Sequence, residues 1–77
     1  MKTTSKEDRL TLAYALVKIY NDETDFFRNI EFNIKELKLY FDCTFHSLDQ
    51  AKAIARATGL VINVQNYQDF DLRVYIF

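Results

Sequence analysis

Residues 33 to 43 read Asn33-Ile34-Lys35-Glu36-Leu37-Lys38-Leu39-Tyr40-Phe41-Asp42-Cys43, and the fold turns on which of two periods they follow. Alternation runs through Ile30, Phe32 and Ile34, and again through Leu37, Leu39, Phe41 and Cys43, as in half-buried strands. Helical spacing also fits, because Ile34, Leu37 and Phe41 share one face. Asn33 followed by Glu36 has the form of a helix N-cap with its partner. The cap favours a short strand followed by a helix over 34–41, although Leu39 then points away from the apolar face. The competing reading puts strands over 30–45 and gives an α+β sheet fold.

Outward from this stretch the signals are plainer. Thr4 and Glu7 form a capping box ahead of an apolar run. Leu10, Ala13, Tyr14 and Val17 make one stripe and Leu12, Leu16 and Ile19 a second, which predicts a helix from about 6 to 20 with a wide apolar surface. Asn21-Asp22-Glu23-Thr24-Asp25 ends it. Ser47 with Gln50 three residues on, and Gly59 where a left-handed cap belongs, bound a helix over 47–58. Leu48, Ala51, Ile54, Ala55 and Thr58 gather on one side of that helix. Asp49, Gln50, Ala53, Arg56 and Ala57 take the other, with Lys52 at the margin. Leu60, Ile62 and Val64, then Leu72, Val74 and Ile76, alternate with their neighbours on either side of the polar Asn66-Tyr67-Gln68-Asp69, which predicts a hairpin.

Seventy-seven residues make a single domain over 1–77 that needs a dense core, and 49% hydrophobic with 16% aromatic residues can supply one. One cysteine allows no intrachain disulfide and fits a reducing compartment. The polar segment Met1 to Arg9 is unlike a signal peptide, and no run reaches the length of a membrane span, so a soluble, cytoplasmic protein is expected. Ten basic against eleven acidic side chains leave a net charge of −1, without the basic excess common in nucleic-acid binders.

Helix, short strand, helix, helix and hairpin is the order of a winged helix-turn-helix domain. The stretch from Asn33 to Phe77 resembles that superfamily, with Ile34-Lys35-Glu36-Leu37 in its second helix, 47–58 as its third, and the hairpin as its wing. The passage Thr58-Gly59-Leu60-Val61 is similar to the way these proteins leave the third helix. Two departures stand out: the turn Asp42 to His46 is long, and the third helix is poor in base-reading side chains. The fold class implied is α+β, mainly α. The resemblance implies duplex DNA as partner, read by Gln50, Lys52, Ala53 and Arg56 in the major groove, with Arg73 reaching phosphate from the wing. Asp69 and Asp71 beside Arg73 oppose that contact. Strands over 30–45 would remove this argument.

Chemistry is not signalled. Cys43 and His46 could offer two metal ligands, but no second Cys or His completes a structural zinc site. Neither a phosphate loop nor a nucleophile with base and orienting partner is present. No enzyme activity, metal or cofactor is expected. The broad stripe of the first helix implies a homodimer through Leu10, Tyr14, Leu16 and Val17, and Tyr67 and Phe70 add aromatic surface near the hairpin loop. The expectation is a homodimeric transcriptional regulator. Its alternative is a protein-interaction module or inhibitor of viral or plasmid type that does not bind DNA.

Overall fold

The alternation of residues 38–44 prevails. In the computed structural model, which describes residues 4–77, Lys38–Thr44 is a strand with Leu39, Phe41 and Cys43 fully buried. Residues 1–3, part of the polar segment and of the 1–77 domain, lie outside the described residues. Helix α1 (Lys6–Thr24) leads to strands β1 (Arg28–Asn33) and β2 (Lys38–Thr44). A single 3₁₀ turn follows, then α2 (Leu48–Thr58), β3 (Ile62–Gln68) and β4 (Asp71–Ile76). The four strands form one antiparallel sheet in the order β1-β2-β4-β3.

This overturns the winged helix-turn-helix expectation: among the described residues there are two α-helices, not three, and residues 34–41 contribute no helix. The reason lies in Asn33. Its Oδ1 does accept the Glu36 amide at 3.2 Å, but the same hydrogen bond serves a turn as well as a helix start. Ile34 O accepts from the Leu37 amide, Leu37 takes the left-handed conformation at φ 55°, and the chain reverses into a hairpin. An eight-residue helix is marginal on its own. As a central strand the segment buries Leu39, Phe41 and Cys43 together and pairs on both edges, with β1 and with β4.

Other boundaries shift less. The N-cap of α1 is Ser5, accepting from the Asp8 amide at 3.1 Å, one residue beyond the expected Thr4. The helix continues through Asn21-Asp22-Glu23-Thr24 to a left-handed Asp25. Helix α2 ends on Gly59 at φ 69° as its sequence requires, whereas Ser47 caps without a side-chain bond. The second hairpin turns at Asp69 and Phe70, so Asn66 to Gln68 belong to β3.

Both helices lie against one face of the sheet. Leu10, Ala13 and Val17 of α1 and Ala51 and Ile54 of α2 close over Phe41, Val74 and Ile76. Phe27 and Phe41 meet at 4.5 Å between ring centroids, and Tyr14 stacks on Phe32 at 4.5 Å, pinning α1 to the outer strand β1. Each of the large, fully buried side chains, such as Leu10, Val17, Phe27, Phe41, Val74 and Ile76, stabilises by about 1.5–3 kcal/mol. Among the described residues no helix is long and apolar enough to cross a membrane.

Candidate interaction surface

The pleat that sends Leu39, Phe41 and Cys43 toward the helices sends Tyr40 and Asp42 to the opposite, helix-free face. Arg73 and Tyr75 join them from β4, Asn63, Gln65 and Tyr67 from β3, and Glu31 from β1. An uncovered antiparallel face ordinarily reads polar. Here three tyrosines and an arginine occupy its middle.

Asp42 organises the cluster. It lies between Arg28 on β1 and Arg73 on β4 in the strand register and is only 1% exposed. Arg73 grips it in bidentate fashion, Nε donating to Oδ1 and Nη2 to Oδ2, while Asn29 Nδ2 donates to Oδ2 at 2.8 Å. Burial by itself would raise the carboxyl's pKa. The hydrogen bonds from Arg73 and Asn29 and the charges of Arg73 and Arg28 outweigh it and hold Asp42 below its ordinary value. Arg28 pairs in turn with Asp71.

Fixed at one end by Asp42, the Arg73 guanidinium lies 4.2 Å from the Tyr67 ring centroid and 4.9 Å from that of Tyr40. Tyr40 packs on Tyr75 at 5.3 Å and donates its hydroxyl to Glu31, the hydrogen bond that raises the Tyr40 pKa. Beside this cluster runs a groove of about 370 Å³ lined by Leu37, Lys38, Tyr40, Tyr75 and Phe77. Among the described residues three ion pairs, Arg73–Asp42, Arg28–Asp71 and Lys38–Glu36, offset the positive charges of this face.

The residues expected to touch DNA are divided between the two sides of the molecule. Lys52, Ala53 and Arg56 are exposed on α2. Gln50 is half-buried beside them with its Oε1 unpartnered, and Arg73 lies across the sheet, engaged with Asp42. Of the expected dimer contacts, Leu10 and Val17 are inside the core and Tyr14 and Leu16 are half-buried against it. Cys43 is buried in the core and His46 is exposed in the 3₁₀ turn. Phe70, 88% exposed, and Phe45 flank a second groove at the end of the sheet.

Tyr40, Asp42, Arg28 and Tyr75 were missed by sequence reasoning. For Tyr40, Asp42 and Tyr75 the signal was the alternation of β2 and β4, which places every second residue on one face once 38–44 is taken as a strand; Arg28, beside the register break of β1, gave none. Comparison with protein-family models, with curated proteins and with solved structures returns no match for this chain.

Proposed function

We propose that this chain is a non-enzymatic protein-interaction module that engages its partner through the helix-free face of the sheet. The observation that carries the proposal is Arg73, held by the buried Asp42 and flanked by Tyr40 and Tyr67 in the middle of an uncovered face. Tyrosine and arginine dominate the energetic centres of protein interfaces, and side chains already fixed lose little freedom on binding. The paired charges argue for a protein over a phosphate backbone, which would reward unpaired cations. Duplex DNA reading by α2 loses the winged-helix frame that motivated it, and Arg73 no longer lies beside Lys52 and Arg56.

Photo-crosslinking in the native host tests this. A photoreactive side chain replacing Lys38, at the groove, is expected to yield a covalent adduct with a different protein, and one replacing Lys52 on α2 is not. Nucleic-acid adducts at Lys52, together with duplex affinity that Ala53→Glu abolishes, would overturn the proposal.

A further inference from the structure

The sheet has two edges, and among the described residues only one is guarded. Strand β1 carries Arg28 and Glu31, breaks register between them, and holds Asn29 in the left-handed conformation at φ 53°. Charge and a bulge are the usual means of stopping an edge from pairing with another chain. Strand β3, Ile62-Asn63-Val64-Gln65-Asn66-Tyr67-Gln68, contains neither charge nor proline and keeps regular register from Ile62 to Asn66.

Its free hydrogen-bonding groups can be assigned by parity. Val61 and Phe77 exchange both backbone bonds, at 2.7 and 2.9 Å, so Val61, Asn63 and Gln65 turn their amides and carbonyls toward β4. Ile62, Val64 and Asn66 therefore turn theirs outward from the edge. We propose that this edge pairs with the same edge of a second copy of the chain, antiparallel and two-fold symmetric about Val64. Centred there, Ile62 faces Asn66 of the second copy, Val64 faces Val64, and Asn66 faces Ile62. Each is a pair that exchanges two backbone hydrogen bonds, so all the outward groups of these three residues are satisfied.

The side chains fit the same axis. Val64 meets its own copy on the helix side of the sheet. On the other side Asn63 meets Gln65, amide against amide, and Val61, 60% exposed, approaches Tyr67 of the second copy, 50% exposed. No charge opposes a like charge, and a net charge of −1 per chain adds little repulsion. This self-complementarity is what an isologous two-fold contact requires and what an unrelated strand would have no reason to match. The pairing joins the two sheets into one of eight strands. It shares Tyr67 with the partner surface proposed above, but the edge hydrogen bonds involve neither Arg73 nor Asp42, so the two contacts can be tested separately.

Sedimentation of the full chain, combined with amide exchange, tests the proposal. The wild type is expected to pass from single to double chain mass between micromolar and near-millimolar concentration, with exchange slowing at Ile62, Val64 and Asn66. Val64→Pro removes an outward donor but no bond to β4, so it is expected to keep the monomer fold and stay at single mass throughout. Val64→Lys sets like charges opposite each other and should behave the same way; it decides the matter if Val64→Pro unfolds. A wild type that remains monomeric, or a dimer that survives both substitutions, overturns the proposal. So does association that slows amides elsewhere while those of Ile62, Val64 and Asn66 exchange freely.

Discussion

Each half of the chain runs helix, outer strand, inner strand, and the inner strands β2 and β4 meet antiparallel at the centre of the sheet. The arrangement is that of a pseudo-two-fold, yet the halves share no visible sequence repeat. They distribute burial differently. In the first half Phe41, Asp42 and Cys43 are buried in succession, the first and last under the helices and Asp42 under Arg73 and Asn29 on the other face. In the second half β3 is exposed along almost its whole length, and burial falls on Val74 and Ile76 of β4. Stability is thus concentrated where the halves join, and the outer strands are left free to present surface.

Val74 offers the sharpest test, because it is the cross-strand partner of Phe41 on one side and of Val64 on the other. Phe41→Ala should lose about 3–5 kcal/mol, since a fully buried ring leaves a cavity between the helices and the sheet. Val64→Ala should change stability by about 0.5 kcal/mol or less, as expected of a surface position. Denaturant midpoints taken below the concentration of any association measure both. Equal losses would break the comparison, placing core weight on β3.

The seam between the halves carries the next largest effect. Arg73→Ala strands a buried carboxylate, with only Asn29 and Arg28 left near it, and should cost about 3 kcal/mol, the low end for breaking a buried pair. Asp42→Ala should cost less, because Arg73 is only partly buried and can turn toward water. Acid should reproduce the loss. The folded pKa of Asp42 is depressed, so its contribution is present above the unfolded value of about 3.9 and disappears as pH falls through the folded one. Its neighbour Cys43 sets an alkaline limb of opposite sign. Burial pushes the thiol up to about 11, so its contribution is complete below the unfolded value of about 8.5 and is lost as pH rises toward 11. Stability measured against pH should show a shallower acid slope in Asp42→Asn and a shallower alkaline slope in Cys43→Ala, where the raised Tyr40 hydroxyl keeps the remainder.

The two halves also differ in how openly their sequences declare themselves. From Ser47 onward most local signals and the fold agree: the period of α2, Gly59 at its end and the two strands appear as read, while Ser47 makes no side-chain cap and the turn falls at Asp69 and Phe70. In the first half Asn33 and Glu36 make a turn from the hydrogen bond that elsewhere opens a helix, and Ile34, Leu37 and Phe41 happen to fall on a helical face. Pairing on both edges decided for strand, and that is a tertiary effect no short window contains. The interaction surface was hidden for the same reason. Arg73 and Tyr67 were visible singly, but Tyr40 and Asp42 reach the same face only when β2 lies between β1 and β4.

The ends of the two helices give the smallest and most local contrast. Both stop on a residue in the left-handed conformation, Asp25 at φ 56° after α1 and Gly59 at φ 69° after α2. An added Cβ at Gly59 would meet no atom within 4 Å, so Gly59→Ala isolates the backbone cost, about 1 kcal/mol. Asp25→Gly removes the same kind of cost from the first half, but glycine also gains freedom in the unfolded chain. The net gain should be no more than about 0.5 kcal/mol, since aspartate tolerates this conformation better than most residues. Thermal midpoints of the two variants should therefore move in opposite directions, with the larger shift at Gly59. If Gly59→Ala leaves the midpoint unchanged, α2 does not need its left-handed cap, and the two helix ends are not equivalent after all.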